Sequence, residues 1–332
     1  MSDVNLRPEL AGRLRHRLHA FSEGFRHNLA MIGPPGSGKT FQLNQILSHP
    51  PQHLLLVYCA LYQESCRSFL QRLASAIIQA GLPHECFSSN QPVQPLETLL
   101  EQSESLLPNT VAALRSMEQA LTKRLFAEAF TRALDAIPIL MQERGRPVVL
   151  ILDEFLSLED LGLSHAFHEL GKRVMTWPSV LFILTSSAPH RARAILRERL
   201  QLLFGHFELM TLDGLDQSTL QDWVQQQTAP IQGSSSMNPF LIEWLGAYPW
   251  YLAVVVKRLN ELAALQYQDM FSERLFLQTA WDVLGSPEGA LHQWCLSRTD
   301  RLTGSNQFYR YRACQRDRLL LRCLRRKWRL VG

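Results

Sequence analysis

Eight residues, Gly33-Pro34-Pro35-Gly36-Ser37-Gly38-Lys39-Thr40, separate a short apolar run, Leu29 to Ile32, from a stretch with helical spacing, Lys39 to Leu47. An apolar run that stops at glycine and proline reads as a buried strand. The glycines let the backbone wrap with its N–H groups pointing inward, which makes a concave anion nest. A helix starting at about Gly38 adds the positive end of its dipole at the same point. The segment is thus a strand, a phosphate-shaped loop and a helix in direct succession.

The eight residues satisfy G-x-x-x-x-G-K-[ST], the P-loop pattern. Gly33, Pro34, Pro35, Gly36, Ser37 and Gly38 would surround the phosphates. Lys39 is placed to reach the β- and γ-phosphates, and Thr40 supplies a hydroxyl for Mg²⁺. A plain glycine turn ahead of a helix is the bland alternative. The complete motif between strand and helix favours the phosphate site.

Periodicity supplies the rest of the domain. Residues 5–24 read as an amphipathic helix through Leu10, Leu14, Leu18 and Phe21. Further strands are expected at Leu54–Ala60, Val148–Leu152, Val180–Leu184 and Phe207–Leu212, with helices at Ser65–Ala80, His165–Met175 and Arg191–Leu203. Prolines among Ser, Asn and Gln mark 83–109 as a loop or insertion, followed by one long helical stretch from Val111 to Arg144. Five strands alternating with helices predict an α/β three-layer domain with a mainly parallel sheet. From Gly214 only helices are expected, at Gln217–Gln227, Asn238–Leu265 and Glu273–Leu284. The expected organisation is a P-loop domain over 1–213, with an insertion at about 83–145, a helical lid over 214–297 and a tail over 298–332.

The strand Val148–Leu152 runs into Asp153-Glu154. A carboxylate at that strand end can hold magnesium through its water shell, the role assigned to Asp153. Glu154 would orient and deprotonate the attacking water. The run ending in Thr185-Ser186-Ser187 offers a polar tip to the γ-phosphate or the water, through either Thr185 or Ser186. Arg191, Arg193, Arg197 and Arg199 read as a solvated helix face, with a γ-phosphate-reaching arginine as the alternative.

Taken together, G-P-P-G-S-G-K-T, Leu150 to Phe155 and Ile183 to Ser187 resemble the AAA+ and STAND-type ATPases, nearest the prokaryotic "archaeal ATPase" group related to origin-recognition ATPases. Leu203-Phe204-Gly205 continues the likeness, and Gly246 to Leu252, with Pro249, is similar to the G-x-P motif of the family's helical lid. Leu6-Arg7-Pro8-Glu9-Leu10 resembles the R-x-x-E-L box that approaches adenine. The resemblance implies an ASCE-type sheet, ATP rather than GTP, nucleotide-driven assembly or domain closure, and Glu154 as catalytic base. No N-K-x-D guanine motif is present. No arginine finger or sensor arginine stands at the lid motif, where Ala247 and Tyr248 sit, so slow, switch-like turnover is compatible with the pattern.

Charge separates the end of the chain from its body. Residues 298–332 carry eleven Lys/Arg against two acids, a balance of +9, while residues 1–297 sum to −5. Aromatic residues interleave these cations, which suits DNA or RNA; a solvated tail, or a basic helix on a partner or an anionic membrane, is the alternative. No apolar run approaches a membrane span and the start lacks a signal-peptide core, so a cytoplasmic location is expected. Six scattered cysteines without a C-x-x-C pair read as free thiols. Three functions fit: an ATP-hydrolysing switch coupled to self-assembly or a protein partner, a nucleic-acid-binding ATPase of the origin- or transposition-loader type, and a nucleotide-binding module with negligible turnover.

Overall fold

The computed structural model describes residues 5–83, 94–163, 165–198, 207–233, 238–265 and 272–285. Its elements run α1 (Pro8–Ser22), β1 (Asn28–Ile32), α2 (Lys39–Ser48), β2 (Leu55–Ala60), α3 (Cys66–Gly81), α4 (Leu96–Ser103), α5 (Pro108–Thr122), α6 (Phe126–Arg144), β3 (Val148–Asp153), α7 (Ala166–Thr176), β4 (Val180–Ser186), α8 (Pro189–Glu198) and β5 (Phe207–Thr211). The helices α9 (Gln217–Thr228), α10 (Asn238–Leu245), α11 (Pro249–Leu265) and α12 (Glu273–Ala280) follow. Contacts divide the described residues into two units, one of residues 7–213 and one of residues 5–6 and 214–285.

The sheet has the order β2-β3-β4-β1-β5, with every neighbouring pair parallel. Parallel crossovers are right-handed, so the direction of travel across the sheet decides which face a connecting helix covers. Only the β1-to-β2 connection runs one way; the three later ones run the other. Accordingly α2 joins α1 on one face, where Leu14, Leu18, Phe21, Leu43 and Ile46 meet Leu29, Met31, Val149, Ile151, Leu181 and Ile183. On the opposite face α3, α5, α6, α7 and α8 share a larger core with Val57, Leu150, Leu152, Phe182 and Leu184. The three layers therefore follow from the strand order. Strand alternation assigns each residue to a face, and in β2 it turns Leu56 and Tyr58 toward α1 and α2.

In this unit two expected segments differ. The stretch 83–109 contains α4, whose Leu96, Leu99, Leu100 and Ser103 are buried at helical spacing. The proline-rich lead-in disguises it, since Pro95 stands at the N-cap and does not interrupt the helix. The long helix expected from Val111 to Arg144 is two helices, α5 and α6, and they pack on each other. They part at Arg124, which adopts φ 58°, and at Leu125, whose N–H bonds to the Ala120 carbonyl at 2.9 Å. This is a left-handed helix stop without the usual glycine.

The helical unit encloses Leu220, Trp223, Val224, Leu252, Val255, Val256 and Phe276. Asp216 caps α9 through the Thr219 N–H at 2.8 Å, and Ser272 caps α12 through Leu275. The single helix expected over Asn238–Leu265 is broken: Gly246 at φ 78° ends α10 and Pro249 starts α11. No helix among the described residues is long and apolar enough to cross a membrane. Cys59 and Cys66 are free thiols, and burial pushes Cys59 up to about 12. The basic segment 298–332, Leu203-Phe204-Gly205 and the other four cysteines lie outside the described residues.

Candidate functional site

Helices leaving β1 and β4 go to opposite faces, so a crevice opens beyond the carboxyl ends of these two adjacent strands, where ligands of open α/β sheets bind. The glycine loop starts there. Gly33 donates its N–H to the Ser186 carbonyl at 3.2 Å, and the Leu212 N–H donates to the Ile32 carbonyl at 2.8 Å. A Cβ on residue 33 would lie 2.5 Å from the Leu212 carbonyl oxygen, so only glycine lets the loop leave between its neighbours. Gly38, at φ 97°, is the N-cap of α2; it offers no side-chain cap, and the first turn holds no acidic residue. A helix start of that composition suits an anion.

Lys39 is buried, and its Nζ donates to the carbonyls of Gly33 at 2.8 Å and Pro34 at 3.1 Å, with Ser37 Oγ at 3.5 Å. Pro34, Pro35, Gly36 and Ser37 complete the loop. The flank is tied down by Arg7, whose Nε donates to the Ser37 carbonyl at 3.2 Å and whose guanidinium also donates to the Asp213 carbonyl.

Thr40 Oγ1 donates to Asp153 Oδ2 at 3.0 Å, although β4 stands between the strands that lead to these two residues. The intervening strand contributes directly. Thr185 Oγ1 donates to Asp153 Oδ1 and accepts from the Glu154 N–H at 3.1 Å. Tyr58 OH donates to Asp153 Oδ2 at 3.2 Å. Burial first, and then the Asp153 charge, push the Tyr58 phenol well above its ordinary value, so it remains a donor. Asp153 is therefore a buried carboxylate receiving three hydroxyls.

Glu154 has φ 59°, in the left-handed region, and its carboxylate turns toward β4. One oxygen accepts from the Ser187 N–H at 2.9 Å and the other from the Ser187 hydroxyl. Ser186 belongs to the other face: its Oγ accepts from the Ala188 N–H at 3.0 Å. Of the two residues left open by the sequence, Thr185 lies in the cluster and Ser186 does not. Arg191 pairs with Glu159, and Arg193 and Arg197 are exposed on α8. Pro249 begins α11 in the helical unit.

Tyr58 and Ser187 were not singled out by motif. Parity would have found Tyr58, because the β2–β3 register pairs Ala60 with Asp153 and so puts Tyr58 on the same face, one alternation back. Thr185 follows by the same rule, one residue past the Leu152–Leu184 pair. A hydroxyl and a carboxylate in contact, beside a glycine cradle and a buried lysine, form a hard oxygen donor set of the kind Mg²⁺ takes with phosphates.

The AAA ATPase domain model matches residues 6–183, more than half of the 332-residue chain. None of the curated proteins matches the chain in sequence. Among solved structures the chain is similar to the Walker-type ATPase Paby2304 of Pyrococcus abyssi, with TM-score 0.55 and 15% identity over 90% of this chain and 76% of that one. It is also similar to the Aeropyrum pernix ORC2 protein in its ADP form, with TM-score 0.52 and 14% identity over 84% and 69%. The Aeropyrum pernix ORC1 protein in complex with DNA gives TM-score 0.53 and 13% identity over 84% and 65%. At these identities the structures speak for the fold. With that fold and the family match over more than half its length, the chain belongs to the AAA ATPase domain family of P-loop ATPases.

Proposed function

We propose that this chain binds ATP with Mg²⁺, hydrolyses it slowly, and uses the nucleotide state as a switch toward a partner or toward other copies of itself. The observation that carries the reading is the convergence of Lys39, Thr40, Asp153 and Thr185 at the carboxyl ends of β1, β3 and β4, from segments far apart in sequence. Lys39 and the loop N–H groups hold the phosphates, and Thr40 and Asp153 hold the metal, directly or through its waters. A metal held there would supply positive charge beside the phosphates. Glu154 is the candidate base for the attacking water. Ser187 occupies both of its carboxylate oxygens, which supports slow turnover, because a base engaged elsewhere must first let go.

Calorimetry of ATP·Mg²⁺ binding tests this reading. Lys39→Ala should weaken binding by roughly 10²-fold, the scale of charge-assisted hydrogen bonds to phosphate. Equal affinity in folded Lys39→Ala would end the proposal. Turnover measured across a protein-concentration series separates a self-assembling switch, whose specific activity rises with concentration, from a module with negligible turnover.

A further inference from the structure

β3 lies between β2 and β4, so Asp153 at its end has a strand on each side. Each flank supplies a hydroxyl. Thr185 from β4 donates to Oδ1, and Tyr58 from β2 donates to Oδ2 at 3.2 Å. Thr40 reaches Oδ2 from α2 at 3.0 Å. A carboxylate turns about its Cβ–Cγ bond through a broad, soft range unless partners fix it. Here the two flanking hydroxyls hold opposite oxygens and leave that rotation no freedom.

The bland account of Tyr58 is a ring in the core whose hydroxyl needs some partner. Its ring does pack against the α1–α2 core. The choice of partner argues for more. The hydroxyl meets the same oxygen that Thr40 meets. If Thr40 gives its oxygen to a metal, Tyr58 and Thr185 still hold the carboxylate plane. Outer partners of this kind orient metal-holding carboxylates and carry measurable affinity.

We infer that Tyr58 is a positioning residue that sets the orientation of Asp153 toward Mg²⁺. This rests on the proposed ATP·Mg²⁺ reading of the same site. Tyr58 acts through Asp153, to which its hydroxyl donates.

The test measures binding of ADP and of a slowly hydrolysed ATP analogue by calorimetry, each with and without Mg²⁺. In Tyr58→Phe the ring stays and the hydroxyl goes. The gain in affinity conferred by Mg²⁺ should fall by roughly tenfold, the lower end of what an outer-shell hydrogen bond contributes to a metal site. Metal-free affinity and the thermal midpoint should stay as in the wild type. Adding Tyr58→Phe to Asp153→Asn should change the Mg²⁺ gain no further, because both act through one carboxylate. An unchanged Mg²⁺ gain in Tyr58→Phe, an equal loss without metal, or additive losses in the double variant would each overturn the inference and leave the functional reading standing. A wild-type protein with no Mg²⁺ gain at all would overturn both.

Discussion

The two faces of the sheet use the same five strands and end differently. Toward α3 and α5–α8 the apolar pattern runs to Leu152 and Leu184, buried in the larger core, and only Ser186 follows them on that side, at the end of β4. Toward α1 and α2 it stops at Ile151 and Ile183 and gives way to Asp153 and Thr185; in β2 Tyr58 stands one alternation before Ala60, the last position on that side. Both faces are packing surfaces, but only on the α2 side do polar strand-end residues gather into a rim around Asp153. The rim lies where α2 starts, and α2 occupies that face because the β1-to-β2 crossover alone runs against the other three. Chemistry and topology are coupled by parity: a side chain joins the cluster only if it is near a carboxyl end and on the α2 face.

Four substitutions test that contrast. The largest effect should come from Glu154→Gln, which keeps size and hydrogen bonding but removes basicity. Turnover should fall about 10²–10⁴-fold, the weight of a positioned base, with nucleotide affinity kept. Single-turnover measurements on the saturated protein report it, and wild-type turnover would return Glu154 to a purely structural place at the strand end.

On the packing face, Phe182 is fully buried and stacks on Trp177 with ring centroids 6.4 Å apart. Phe182→Ala should lower stability by about 3–5 kcal/mol, from lost burial and the cavity left behind. Urea unfolding measures this, and nucleotide affinity of the folded protein should not move. A matched loss of affinity would mean that the two faces are not separable.

The smallest effect compares adjacent residues on opposite faces. Thr185→Val removes the donor to Asp153 and should slow turnover by about tenfold, whereas Ser186→Ala removes only the acceptor for Ala188 and should stay within about twofold. Reversed magnitudes would show that parity does not select the working residue.

Much of this architecture was legible in the sequence because it depends on short-range pattern. Apolar runs bounded by Gly, Pro and Asp-Glu locate all five strands, and the glycine motif locates the loop between β1 and α2. What stayed hidden depends on departures from local rules or on strand order. No glycine announces the break between α5 and α6, since Arg124 itself takes the left-handed turn. Gly246 and Pro249 do announce the break between α10 and α11, but a continuous apolar spacing masked them. Tyr58 carries no motif, and Ser187 ends the run Ile183 to Ser187 without a role of its own in it. Their place follows only once β2 is known to lie beside β3, and β3 beside β4. Similarly, the contact between Thr40 and Asp153 spans an intervening strand, and no sequence spacing encodes that.

The left-handed backbone of Glu154 sets two selection pressures against each other. A non-glycine residue at positive φ costs on the order of 1–2 kcal/mol, and glycine or asparagine would relieve it. Either replacement would also delete the carboxylate held by Ser187. Backbone strain alone would therefore favour glycine or asparagine at this position, whereas the proposed role as base would favour glutamate. On the proposed reading, a variant stabilised in that way at position 154 would hold its nucleotide longer and turn it over less.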